Sequence, residues 1–210
     1  MRRYDARRLT EPHELDAPGF ALLAEMRHAS LAEFVIEYFL RKATWLTRLH
    51  HAMSLLTLGA IVFTAIATGR TLNQCMAGFF LAVLALAVVI LPIHELLHAV
   101  AYRLAGARDI RWDYSLRMAA VWVVAHRFVA TTKPFIFVAL APFVVINALL
   151  IIGAIVFPKV AVFLLFLLLW HLHGAIGDWS LLNFIWIHRQ RGFWTYDDAE
   201  TGTSYFYGRA

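Results

Sequence analysis

Two long stretches of the chain are almost entirely apolar, and a single basic residue interrupts each of them. They cover residues 49–102 and 134–188, in which Arg70 and Lys159 are the only Lys or Arg residues. Because a helix needs about 20 apolar residues to cross a bilayer, each stretch is long enough for two spanning helices joined by a tight turn. The pattern therefore predicts four spanning helices, at about 51–69, 76–103, 134–157 and 160–188.

Shorter patterns flank these stretches. Residues 20–43 mix apolar and charged positions with a rough helical period, which predicts a helix that lies at the membrane surface or packs on the loop region. Residues 110–118 alternate with a period of two and residues 121–128 are β-prone, so we expect a β-hairpin that turns near Ala119-Ala120. The predicted fold class is an all-α membrane protein of about four transmembrane helices, with a small cytoplasmic β-hairpin between helices two and three.

These elements divide the chain into three parts. Residues 1–48 are expected to form a cytoplasmic segment with the interfacial amphipathic helix, residues 49–190 the transmembrane domain, and residues 191–210 a cytoplasmic tail. The tail is rich in Trp and Tyr, which indicates either an anchor at the membrane interface or a contact with a partner.

Composition agrees with a membrane protein and excludes several other classes. Hydrophobic residues make up 61% of the chain, charged residues 16%, and the mean hydropathy is +0.65. Soluble domains contain about 45–50% apolar and about 25% charged residues, so a disordered, fibrous or ordinary soluble chain does not fit. The single cysteine, Cys75, rules out an intrachain disulfide and argues against a cysteine-based metal site.

The net charge of +5 gives the orientation. All of the 19 Lys and Arg residues except Arg70 and Lys159 fall in the N-terminal segment, the 103–133 loop and the tail. The positive-inside rule therefore predicts a multi-pass protein of the cytoplasmic membrane with both termini in the cytoplasm. The basic excess is also expected to attract anionic lipid, and nucleic-acid binding is not expected because no basic stripe with interleaved stacking aromatics is present.

Helix two contains the sequence His94-Glu95-Leu96-Leu97-His98. Residues i and i+4 share a helix face, so His94 and His98 can bind one zinc ion while Glu95 acts as general base toward the zinc-bound water. A carboxylate inside an apolar span costs about 2.5–3.5 kcal/mol and is normally found only where it has a partner or a cavity. This location favours a catalytic zinc centre over the alternative, a structural polar cluster.

A third protein ligand is needed, because catalytic zinc sites keep the fourth position for water. The only glutamate after Glu95 is Glu200 in the tail, whereas Asp178 is the one acidic residue of the second apolar stretch. Asp178 is about 15 Å and the motif about 10 Å from the cytoplasmic ends of their helices, so the depths match. Its alternative role is a buried ion pair.

Two histidines of helix four are rival ligands, His171 and His173. His171 lies about 10 Å along a straight helix from Asp178, which is far for joint coordination. We therefore expect His171 to act in catalysis as a polar group over the substrate carbonyl or oxyanion, and His173 to be a core histidine. Asn147 on helix three is expected to make an interhelical hydrogen bond or to position substrate.

The chain resembles a known family at these residues. HELLHA on a spanning helix, the β-prone segment after it, Ala141-Pro142 in the next span and HGAIGD in a later one are similar to the family called putative zincin peptidases. Those proteins are small integral membrane proteins, similar in plan to site-2 intramembrane proteases. The likeness covers about residues 45–190. It implies His94 and His98 as zinc ligands, Asp178 as the third ligand and Glu95 as the catalytic acid/base.

The sequence therefore predicts an intramembrane zinc metalloprotease that hydrolyses a peptide bond near the cytoplasmic face. Its partners would be the lipid bilayer and a membrane-embedded or membrane-adjacent protein or peptide, which an exposed strand edge of the hairpin could hold unwound. The alternative is a catalytically silent metal-binding membrane scaffold or regulator. A proton-relay transporter is less favoured, because four spans without a repeat are few for such a protein.

Overall fold

The computed structural model describes residues 11–115 and 120–210 as a helical bundle with two small antiparallel sheets. Among these residues, three helices are long and apolar enough to cross a membrane, and a bent pair of helices adds a fourth if the pair counts as one span. The helices are α1 (Leu31–Val35), α2 (Trp45–Ala67), α3 (Leu72–Ala85), α4 (Leu91–Ala105), α5 (Thr132–Val156), α6 (Ala161–Gly174) and α7 (Ile176–His188). The strands are β1 (Phe20–Arg27), β2 (Ile110–Ser115), β3 (Ala120–Ala125), β4 (Ala130–Thr131), β5 (Trp194–Asp198) and β6 (Thr203–Arg209).

The first three predicted helices are present, with shifted ends. Helix α2 begins six residues before the predicted start because Thr44 caps it, accepting a hydrogen bond from the backbone N–H of Leu46 at 3.2 Å. Helices α3 and α4 form one continuous rod, Leu72–Ala105, with a π-helical turn at Leu86–Ile90. Pro92 follows this turn and lacks a backbone N–H, so a local widening of the helix there is expected.

The fourth predicted span is not one straight helix. It is divided into α6 and α7, which meet at Ala175 with a bend of 48°. Gly174 and Gly177 flank the break, and the low helix propensity of glycine makes a bend there inexpensive. The prediction of a continuous helix over 160–188 was therefore wrong, and the bend matters for the position of Asp178.

The predicted helix at 20–43 was wrong in its first half. Residues 20–27 form β1, which pairs antiparallel with β6. The helical part begins only at His28, as a 3-10 turn at His28–Ser30, then α1, then a π-helical turn at Ile36–Arg41. The last strands of the chain complete a four-stranded sheet in the order β1-β6-β5-β4. A local pattern shows no sign of this sheet because the pairing partners lie at opposite ends of the chain. The fold is thus helical with a sheet, not all-α.

The expected hairpin is present between α4 and α5, with β2 and β3 paired antiparallel. Its turn, predicted near Ala119-Ala120, lies largely outside the described residues. The tail forms β5 and β6, so both end segments meet in one sheet. Its expected role as an anchor or a partner contact stays a prediction. The three-part division of the chain stays a prediction.

One aromatic core joins the four-stranded sheet to the helices. Phe184 of α7 is fully buried and packs against Phe34, Phe193 and Phe206 in tilted and edge-to-face arrangements, with ring centroids 5.1–6.2 Å apart. By contrast, the outer faces of α2 and α3 expose large apolar side chains such as Phe63. A soluble monomer rarely exposes apolar patches of that extent, whereas a lipid-facing surface does.

Candidate metal centre

The two histidines of the HExxH motif lie on the inner face of α4. His94 and His98 are one helical turn apart, and their Nε2 atoms are 3.0 Å from each other. Both side chains are buried, with 4% and 8% of their surface exposed. The spacing read from the sequence therefore places two imidazole nitrogens at one point inside the bundle.

Asp178 reaches the same point from the first turn of α7. Its Oδ2 lies 3.1 Å from Nε2 of His94, and its Oδ1 lies 3.4 Å from Nε2 of His98. The bend before α7 turns this carboxylate toward α4. The two imidazole nitrogens thus lie 3.0 Å apart, and each has one oxygen of the same carboxylate within 3.4 Å. Two histidines and a carboxylate are a typical ligand set for catalytic zinc.

The hydrogen bond at Nδ1 of His98 indicates whether His94, His98 and Asp178 could hold a cation. Its Nδ1 donates to the backbone carbonyl of Val138 on α5 at 3.0 Å, so in the neutral imidazole Nε2 carries the lone pair. Pro142 lies four residues after Val138 and has no N–H, which leaves that carbonyl without its helical donor and free for the histidine. A lone pair directed at a carboxylate inside an apolar bundle is unfavourable unless a cation lies between them. The residues present therefore fit a bound zinc ion.

Glu95 lies on the same turn and faces the hairpin. Its Oε2 accepts a hydrogen bond from the backbone N–H of Val123 in β3 at 2.9 Å. One carboxylate oxygen of Glu95 also lies within 4.8 Å of ligand atoms of His94 and His98. The carboxylate thus lies between the candidate metal position and the edge of a strand, where it can take up or deliver a proton.

His171 is close to the centre but contacts it from behind. Its Nε2 lies 3.0 Å from Nδ1 of His94, the ring nitrogen that faces away from Asp178, and its Nδ1 lies 2.7 Å from Oδ1 of Asn147. Both ring nitrogens are therefore engaged, which does not fit the expected role over a substrate oxygen. The contact with Asn147 is the interhelical hydrogen bond expected of that amide.

His173 is not brought to the centre. Its side chain is exposed, and its Nδ1 donates to the carbonyl of Leu169 on its own helix at 2.8 Å. The expectation that it is a core histidine was wrong. The structure thus assembles four of the candidates, His94, Glu95, His98 and Asp178, around one point.

A cavity of about 560 Å³ adjoins the centre. Its lining includes Glu95, His98 and Asp178 together with Val123 of β3, Trp122 and Asp197. The cavity therefore connects the candidate metal position with the edge of β3 that does not pair with β2, and with the four-stranded sheet.

A second polar group of this cavity, which the sequence pattern does not predict, is centred on Asp197 of β5. Its carboxylate accepts hydrogen bonds from Ser204 at 2.5 Å and from the hydroxyl of Tyr102 at 3.5 Å, and burial raises its pKa. The Nε2 of His28 lies 3.2 Å from the Ser204 hydroxyl. Tyr102 follows His98 by four residues on the same helix face, and this spacing was the one signal in the sequence that could have indicated the group.

A bundle of apolar helices long enough to cross a membrane, with an HExxH motif and a carboxylate at one buried point, is compatible with a membrane-type metallopeptidase. The family model described as "putative zincin peptidase" matches residues 87–192, half of the chain, and includes every residue of the candidate centre. The chain belongs to this family. No curated protein and no solved structure matches the chain.

Proposed function

We propose that this protein is an intramembrane zinc metalloprotease that hydrolyses a peptide bond near the cytoplasmic face of the membrane. The observation that carries the proposal is the convergence of His94, His98 and Asp178 within 3.4 Å, beside the carboxylate of Glu95. Membership of the zincin peptidase family supports the reaction class.

In this proposal His94, His98 and Asp178 hold zinc. When bound, the ion supplies Lewis acidity and a water of lowered pKa. Glu95 accepts a proton at its carboxylate and returns it to the leaving amine. Its present hydrogen bond to Val123 holds the carboxylate at the cavity side of the centre.

The hairpin supplies a place for substrate. Strand β3 pairs with β2 on one side only, and its other edge faces Glu95 through the N–H of Val123. An extended peptide that pairs with this edge is unwound, so its carbonyls are no longer shielded by helical hydrogen bonds. The substrate class is therefore a membrane-embedded or membrane-adjacent segment of a protein or peptide.

The orientation in the cytoplasmic membrane rests on the basic residues. Arg70 and Lys159, the two basic residues of the apolar stretches, are neighbours, since the Arg70 guanidinium donates to the Lys159 carbonyl. The turns after α2 and α5 thus lie at the same end of the bundle. All other Lys and Arg residues belong to the remaining segments, which supports cytoplasmic termini.

The test is zinc content and cleavage in purified wild type and three variants. His94→Ala and Asp178→Asn are expected to lose zinc and cleavage, whereas Glu95→Gln is expected to keep zinc and lose cleavage. His173→Gln is the matched control, because this histidine lies on the neighbouring helix but outside the centre. Equal zinc content in all variants would refute the centre, and zinc binding without any effect of Glu95→Gln would favour the metal-binding scaffold.

A further inference from the structure

His94 has a neighbour at each of its two ring nitrogens. Nε2 faces Asp178 and His98, while Nδ1 lies 3.0 Å from Nε2 of His171 on α6. On the far side of His171, Nδ1 lies 2.7 Å from Oδ1 of Asn147 on α5. His171 and Asn147 have 0% and 7% of their surface exposed, so solvent does not compete for these hydrogen bonds.

The end of this chain of hydrogen bonds sets the position of every proton in it. An amide oxygen only accepts, so Nδ1 of His171 donates to Asn147. A neutral imidazole with its proton on Nδ1 has a lone pair on Nε2, so His171 accepts from Nδ1 of His94. His94 is then left with a lone pair on Nε2, directed at the candidate metal position.

We propose that His171 and Asn147 are positioning residues that hold His94 in the tautomer and orientation required for metal binding. This inference rests on the zinc centre of the proposed function and deepens it. Partners at the distal nitrogen of a ligating histidine are known to affect metal affinity by about 10–100-fold. The two hydrogen bonds from His94 to His171 and from His171 to Asn147 are called the relay below. The relay accounts for the buried imidazole of His171, which has no part in the proposed proton transfer.

The relay also explains why a neutral pair is present instead of the more common carboxylate. Asp178 and Glu95 already carry two negative charges beside the centre, equal to the charge of one zinc ion. A third carboxylate behind His94 would leave a net charge inside an apolar bundle, which is costly. An imidazole that is itself oriented by an amide orients His94 without adding charge.

Both ligating histidines are consequently oriented from α5. His98 uses the backbone carbonyl of Val138, which Pro142 leaves free, whereas His94 uses the side chain of Asn147 through His171. The second path runs through side chains alone, so removing a side-chain polar group interrupts it directly. That difference makes the relay testable without altering a ligand.

The experiment measures zinc affinity by competition with a chelator of known affinity, using the whole 210-residue chain in detergent and Glu95→Gln as the common background. Asn147→Leu and His171→Phe are expected to weaken zinc binding by about 10–100-fold. His171→Gln is expected to bind zinc more tightly than His171→Phe, because its amide oxygen can still accept from His94. His173→Gln, the control on the same helix, is expected to bind as the background does.

A second measurement does not depend on how well a variant folds. Nitrogen-15 NMR of labelled histidines in the zinc-free protein is expected to show the proton of His94 on Nδ1. Rotation of the Asn147 amide by half a turn would reverse every donor and place the proton on Nε2, and that result would overturn the relay.

The outcomes separate the relay from the proposed function. Background-like zinc affinity in Asn147→Leu and His171→Phe, together with lost affinity in His94→Ala, overturns the relay and leaves the metal centre intact. Unchanged affinity in His94→Ala overturns the centre and the relay with it. The two measured quantities are the zinc affinity and the tautomer of His94. Neither depends on whether the protein cleaves a substrate.

Discussion

The substitution Asp178→Asn is expected to change the stability of the protein in opposite directions with and without zinc. In the metal-free protein the carboxylate faces Nε2 of His94 at 3.1 Å and of His98 at 3.4 Å, and both nitrogens carry lone pairs when their Nδ1 atoms donate. An asparagine amide of the same shape can donate to one of these nitrogens. Because a net hydrogen bond contributes about 0.5–1.5 kcal/mol, the variant is expected to be more stable than wild type by about 1 kcal/mol without metal.

Zinc reverses the order. A ligand present at 100 times its dissociation constant stabilises the native state by about 2.7 kcal/mol, and the variant that lacks the third ligand gains little of this. Wild type is therefore expected to exceed Asp178→Asn by about 1–2 kcal/mol when zinc is present. This difference is the stabilisation of wild type by zinc minus the stabilisation of Asp178→Asn by its added hydrogen bond.

The assay is thermal unfolding in detergent, with a chelator or with excess zinc. Asp109→Asn is the matched control, because Asp109 is exposed and pairs with Arg111 away from the centre. An equal zinc-induced shift in wild type and Asp178→Asn would refute the assignment of Asp178 as a ligand. A variant less stable than wild type in chelator would show that a proton, not a lone pair, faces the carboxylate.

Four further substitutions test other parts of the structure. Glu95→Gln should reduce the cleavage rate by about 10²–10⁴-fold while zinc content stays unchanged, and a smaller loss would argue against a general base. Pro142→Ala restores a backbone N–H that competes with His98 for the Val138 carbonyl. Zinc affinity should therefore fall, although the helix gains a hydrogen bond. Unchanged zinc affinity in the chelator competition would contradict this prediction. Phe184→Ala should lower the free energy of unfolding by about 3–5 kcal/mol in a denaturant titration, because the ring is fully buried, and a loss below 1 kcal/mol would contradict that packing. Burial raises the pKa of Asp197, so its proton contributes stability that is full below the usual carboxyl range and is lost as pH rises through the raised pKa. The free energy of unfolding of Asp197→Asn should therefore exceed that of wild type by an amount that grows with pH. A difference that does not change with pH would contradict the raised pKa.

The bend between α6 and α7 gives the centre its shape. On a straight helix, His171 and Asp178 would lie on one face about 10 Å apart and would not meet the same residue. With the 48° bend, they approach His94 from its two opposite ring nitrogens. One interrupted helix thus supplies both a candidate ligand, Asp178, and the neighbour that we propose orients His94.

The sequence alone determined the features that depend on local spacing. Hydropathy over about 20 residues indicates a span wherever it occurs, and the i, i+4 spacing of His94 and His98 fixes one helix face. Asp178 followed from scarcity, because it is the one acidic residue of the second apolar stretch. These inferences need no knowledge of how the helices pack.

The tertiary structure decided the features that depend on distant partners. Strand β1 is stabilised by β6 at the other end of the chain, so the local pattern of residues 20–27 was read as a helix. His171 changed from an expected substrate contact to a neighbour of His94, because only a bent helix brings it behind that ring. The sequence does not indicate Asp197 and His28 as cavity residues, because only the pairing of distant strands in the sheet brings them to the cavity. Local periodicity specifies an element, but the contacts between elements depend on packing across the whole chain, and that packing decides what each polar side chain can do.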